Sequence, residues 1–115
     1  MGISCADNKL TRKTATKGYY TLIGRSTAKS SCIIGHIKDK KTGKVISSAN
    51  VSIVSYYNVG TITDEQGFYE LEVVPGNIQI KVSNIGNSDL KSEVFKVRPK
   101  EQLIVNFYLG TFEIN

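Results

Sequence analysis

Gly60-Thr61-Ile62-Thr63-Asp64-Glu65-Gln66-Gly67-Phe68-Tyr69-Glu70-Leu71-Glu72-Val73 is the stretch whose reading decides the fold. Threonine and isoleucine lead into Asp64-Glu65-Gln66-Gly67, where the aspartate can cap its own turn and the glycine can take a left-handed angle. Tyr69, Leu71 and Val73 then alternate with Phe68, Glu70 and Glu72, a period of two that marks a half-buried strand. The stretch predicts a β-hairpin closed by a tight turn.

Upstream, Cys32–Asp39 sets Ile33, Gly35 and Ile37 on one face against His36 and Lys38, and stops at Lys40-Lys41-Thr42-Gly43-Lys44. Residues 49–54 alternate Ala49, Val51 and Ile53 with Asn50 and Ser52. Downstream, Pro75-Gly76-Asn77 reverses the chain, and Ile78, Ile80 and Val82 alternate with Gln79 and Lys81. Ile85-Gly86-Asn87 turns again before strands at 93–97 and 103–109, the latter aligning Leu103, Val105, Phe107 and Leu109. Seven strand candidates separated by turn signals, with no apolar run at helical spacing, predict an all-β, seven-stranded antiparallel sandwich over residues 31–115. The 115 residues hold one domain able to bury roughly two-thirds of its unfolded surface.

Residues 1–30 read differently. Ser, Thr, Lys and Arg dominate, and only Tyr19-Tyr20-Thr21-Leu22-Ile23 has strand character, so a mostly irregular basic tail is expected, with that segment laid against a sheet edge. Six basic residues stand there against Asp7, whereas residues 31–115 carry nine basic and nine acidic residues. The net charge of +5 therefore belongs to the tail. A neutral body argues against a nucleic-acid-binding face, which needs clustered Lys and Arg to displace counterions. The tail is either a solvated extension or a contact for anionic lipid or another acidic surface.

The order of the turns resembles the carboxypeptidase regulatory-like domains, which are prealbumin-like (transthyretin-like) Greek-key sandwiches. Their usual pattern runs G-x-V-x-D, T-G, A-x-V-x-V, G-T-x-T-D-x-x-G-x-F/Y, P-x-G and S-x-I-G-Y. The matching residues are Gly35, Ile37 and Asp39; Thr42 and Gly43; Ala49, Val51 and Ile53; Gly60, Thr61, Thr63, Asp64, Gly67 and Tyr69; Gly76; and Ser83, Ile85 and Gly86. Asn87 departs from the pattern where the family has an aromatic, and Val45-Ile46 replaces Pro-Leu, so loop packing must differ there. The resemblance implies a structural role for Asp39, Gly43, Thr63, Asp64, Gly67, Gly76 and Gly86, and supplies no catalytic residue and no cofactor. Such domains trail the catalytic domains of metallocarboxypeptidases, precede outer-membrane receptor plugs, or stand alone in exported bacterial proteins.

Catalysis finds little in the residues themselves. His36 is the sole imidazole, and Cys32 lies four residues away on the same strand, about 13 Å distant at strand rise. Asp64 and Glu65 point to opposite sides of a turn, and no His, Cys or carboxylate pair has metal-ligand spacing. Two cysteines, Cys5 and Cys32, leave a disulfide open but do not require one.

The expected function is thus a non-catalytic structural or protein-interaction module of the bacterial cell envelope, periplasmic or outer-membrane-associated, with a cytosolic protein as the alternative. Gly2-Ile3-Ser4-Cys5 is similar to the end of a lipobox. Read so, Cys5 carries a lipid and the stretch to Lys29 is a tether; otherwise Cys5 is an incidental tail cysteine. Tyr56, Tyr57, Phe68 and Tyr108 fall out of phase with the inward residues. They are either an exposed patch for a glycan or peptide or cross-strand packing. An unpaired sheet edge and the N-terminal extension of an outer-membrane receptor are further readings.

Overall fold

A computed structural model describes residues 13–15, 17–56 and 59–114. The described residues form ten strands: β1 (Lys13–Ala15), β2 (Tyr19–Thr27), β3 (Cys32–Asp39), β4 (Asn50–Ile53), β5 (Gly60–Ile62), β6 (Phe68–Glu72), β7 (Gly76–Ser83), β8 (Leu90–Val97), β9 (Glu101–Leu109) and β10 (Phe112–Ile114). Eight of them form two four-stranded sheets, ordered β2-β9-β3-β6 and β5-β4-β7-β8, while β1 and β10 pair with each other. The inward residues of the first sheet, Ile33, Ile37, Tyr69, Leu71, Leu103, Val105, Phe107 and Leu109, face Val51, Ile53, Ile78, Ile80, Val82, Phe95 and Val97 of the second. The chain is an all-β sandwich, and the period-two pattern of its sequence is what places its core.

The count rises from seven strands to eight because β2 is a nine-residue strand. It pairs antiparallel with β9 from Tyr19 to Thr27, so the segment expected against a sheet edge is an edge strand of the sandwich and extends four residues beyond Ile23. Its alternation is broken by a bulge between Leu22 and Gly24, and most of its side chains are exposed, so no clean period survives in the sequence. The ladder is also not wholly antiparallel, since β3 runs parallel to β9. An alternating pattern fixes which side chains point inward but not the direction of the partner.

The hairpin expected at 60–73 is corrected as well. β5 pairs with β4 and β6 with β3, so Asp64-Glu65-Gln66-Gly67 is a corner that carries the chain from one sheet to the other. The switch is set by Thr63, whose N–H donates to Ala49 O at 3.0 Å and whose carbonyl accepts from Ser48 N at 3.0 Å. These bonds hold the end of β5 to the chain entering β4.

On the opposite side, β2 ties the sheets together through side chains. The Tyr20 hydroxyl accepts from Glu93 N at 2.9 Å, and its ring meets Phe95 edge-on at 5.8 Å. Arg25 Nη1 donates to Lys96 O at 2.9 Å and to Glu101 Oε1 at 3.1 Å. Both residues thus cover the outer backbone of β8.

Candidate interaction surfaces

The turn residues spend their polar atoms on the backbone. Asp39 Oδ1 accepts from the amides of Lys41 and Thr42 at 2.9 and 3.0 Å, which shapes the turn that Gly43 completes at φ 76°. Asp64 Oδ1 accepts from Gln66 N and Phe68 N, both at 2.9 Å, and Gly67 closes that corner at φ 73°. A Cβ on Gly67 would stand 2.8 Å from Ile37 O, so a side chain there is both strained and obstructed. The buried Thr63 hydroxyl accepts from Ala49 N at 2.9 Å and donates to Ile46 O at 2.7 Å. Gly76 and Gly86 also take positive φ, at 140° and 90°.

Asn87, the departure from the family pattern, is buried and fully engaged. Its Nδ2 donates to Asp39 Oδ2 at 3.2 Å and to Gly110 O at 3.0 Å, while its Oδ1 accepts from Asn84 Nδ2 at 2.8 Å. A polar clamp between two turns and the end of β9 replaces aromatic packing. Nothing in the spacing of a single asparagine announces this.

The Thr42 amide foremost, then Asn87 and the Lys41 amide, hold the Asp39 carboxyl below its ordinary value against a desolvation cost. A lowered folded-state pKa stabilises the fold above the unfolded value near ~3.9 and is lost as pH falls through the folded value. Asp39→Asn is therefore expected to be less stable than the parent near neutral pH. Its urea midpoint should also fall less steeply between about pH 5 and pH 2. Parallel acid limbs in the two proteins would remove Asp39 as a source of acid sensitivity.

Of the four aromatics singled out in the sequence, the three that are described do not share one face. Tyr57 and Cys5 lie outside the described residues. Tyr56 stands on the loop after β4, whereas Phe68 and Tyr108 share the outer face of the β2-β9-β3-β6 sheet on either side of β3. Phe68 meets His36 edge-on at 5.5 Å, and Tyr108 stacks on Tyr19 at 4.6 Å with the rings 16° apart. Half-buried Ile34 and Ile104 are direct partners on the same face. Tyr19 was the missed member: it sits in the one strand-like piece of the expected tail, and only its pairing with β9 puts it opposite Tyr108.

Cys32 is buried on that face beneath Gln102, its Sγ 3.7 Å from Oε1. Burial first, then the Glu70 and Glu72 charges, push its thiol above the usual value. It is a thiol held protonated and not an activated nucleophile. Among the described residues no group of three or more His, Cys, Asp or Glu side chains could hold a metal ion.

Tyr56 lines a cleft of about 480 Å³ at the end of the sandwich together with Ile53, Glu72, Val73, Val74, Pro75 and Lys100.

The chain is an eight-stranded two-sheet sandwich whose turns are capped by side chains, and a family model matches it. The carboxypeptidase regulatory-like domain model matches residues 32–110, and the chain belongs to that family, whose domain is regulatory-like and non-catalytic. A search of curated proteins returns no match.

Proposed function

We propose that this protein is a non-catalytic protein-interaction module of the bacterial cell envelope, not an enzyme, tethered through a lipid on Cys5. The observation that carries the reading is the outer face of the β2-β9-β3-β6 sheet. There Phe68, Ile34, Ile104, Tyr108 and Tyr19 present apolar and aromatic surface among polar neighbours. Aromatic-rich surface with a polar surround is the composition of interaction faces. The same reading takes the two-sheet arrangement as a prealbumin-like Greek key that presents this face.

A photo-crosslinking residue at Tyr108 in intact cells is expected to give one dominant protein adduct. The same residue at Ser52, on the outer face of the other sheet, should give none. Mass spectrometry of the recovered protein should show an acyl mass on Cys5. No adduct at 108, or equal adducts at both positions, would defeat the proposed face, and an unmodified Cys5 would remove the tether.

A carbohydrate-binding reading is favoured by one specific feature, the outward Tyr19 ring, 46% exposed and stacked flat on Tyr108. Saturable oligosaccharide binding that Tyr19→Ala abolishes would establish it in place of the protein partner.

A further inference from the structure

Charge is segregated along this chain more sharply than its net value shows. Residues 1–44 hold ten basic residues against two acids. From Val45 to Ile80 there is no Lys, Arg or His, and the four acids present are Asp64, Glu65, Glu70 and Glu72. All four lie on β6 or the corner leading into it. Glu70 and Glu72 are exposed, and no ion pair engages either of them among the described residues. Glu72 Oε2 accepts a hydroxyl bond from Ser30, at 2.7 Å.

Among the described residues β6 is also an open edge. The bonds Ile37 N to Gly67 O and Val73 N to Ser31 O fix the odd-numbered residues of this stretch as those whose backbone faces β3. Phe68, Glu70 and Glu72 consequently turn their N–H and C=O groups outward. Phe68 spends both on Asp64, at 2.9 Å each, which leaves those of Glu70 and Glu72 presented at the edge. β5 belongs to the other sheet and shares no ladder with β6.

The remaining edges are blunted by recognisable devices. β2 carries a bulge, the outer backbone of β8 is covered by Tyr20 and Arg25, and β5 is only three residues long. β6 has no bulge in its ladder with β3, no proline and no lysine. Its glutamates do discourage one partner: two β6 edges brought together would set like charges against each other.

We propose that the β6 edge is a docking strand for an extended basic peptide segment of a partner protein. The inference rests on the reading of the domain as an interaction module and names the chemistry of one partner. The peptide pairs its backbone with the outward groups of Glu70 and Glu72 by β-augmentation. Lysine or arginine on alternate residues meets the two carboxylates, as opposite charges do across neighbouring strands. About two residues beyond Glu72, roughly 7 Å at strand rise, the peptide reaches the cleft walled by Val73, Val74, Pro75 and Tyr56 and sets an apolar side chain there.

The test is fluorescence anisotropy of a fluorescein-labelled peptide, Lys-Val-Lys-Val-Lys-Leu-Leu, titrated with the full chain, beside a matched peptide with glutamate for lysine. Saturable binding of the basic peptide alone, weakening with salt, is expected. Affinity should fall at least tenfold in Glu70→Lys/Glu72→Lys. It should fall similarly in Glu70→Pro, which deletes one outward N–H and no inward one. Thermal melts establish that each variant is folded, and Glu70→Gln/Glu72→Gln supplies a charge-only change if the proline variant is not. Equal affinity for both peptides, or full affinity in a folded Glu70→Pro protein, overturns the proposal. So does sedimentation showing a dimer that Glu70→Pro dissociates, since a second copy then occupies the edge. Tyr108→Ala should bind the peptide unchanged; loss of binding there alone moves the site to the aromatic face and overturns the edge while the interaction role stands.

Discussion

Gly35→Ala is expected to be less stable than the parent by about 3 kcal/mol or more in urea denaturation, the upper end of what an added methyl costs in a full core. A Cβ at this position would lie 1.9 Å from Val105 O and 2.7 Å from Val105 C. Both are backbone atoms of β9, the strand beside β3, so no side-chain rotation relieves the clash. The same Val105 carbonyl accepts the Tyr69 hydroxyl at 2.7 Å, across a ring that is almost wholly buried. Pushing the strand aside therefore disturbs a hydrogen bond that water cannot replace, a further loss of about 1 to 3 kcal/mol where the phenol is left unpaired. Gly24 is the control. A Cβ there meets nothing within 4 Å, and Gly24→Ala should change stability by about 0.5 kcal/mol or less. If the two alanine variants unfold at the same urea concentration, β9 yields freely and the close approach at Gly35 has no structural weight.

That glycine also marks what a sequence can and cannot say about this fold. Gly35 falls in phase with Ile33 and Ile37, so its inward placement is legible from period two alone. What makes it glycine is a neighbour some seventy residues away, and long-range approach leaves no local trace. The same limit explains the corner at Asp64. Its turn chemistry is fully written in Asp64 and Gly67, yet whether the flanking strands pair with each other or diverge into two sheets depends on Ala49 and Ser48, which hold Thr63. Strand β2 showed only its first half, Tyr19 to Ile23, for the opposite reason: being a bulged edge, it buries too little to show a period. Among surface residues, Phe68 and Tyr108 were visible as out-of-phase aromatics. Tyr56 looked identical in sequence but stands at the end cleft, because phase identifies a face only within a strand and Tyr56 is on a loop.

Thr63→Val is expected to lose about 2 kcal/mol or more, although it exchanges a hydroxyl for a methyl of nearly the same size. Thr63 is 3% exposed, and its hydroxyl both accepts from Ala49 N and donates to Ile46 O. Valine leaves a buried amide without an acceptor and a carbonyl without its donor, and each unpaired group costs about 1 to 3 kcal/mol. Thr63→Ser separates this from packing, since serine keeps both bonds and loses one methyl, at about 1 kcal/mol. The position matters because the corner it anchors directs β6 away from β5 and into the other sheet, which is what leaves the acidic β6 edge open. Urea denaturation of the three proteins decides the matter. Valine falling well below serine assigns the corner to the hydroxyl. Valine level with serine would mean that the backbone bonds of Thr63 to Ala49 and Ser48 hold the crossing alone, and the threonine of the family pattern would then need an explanation other than its hydrogen bonds.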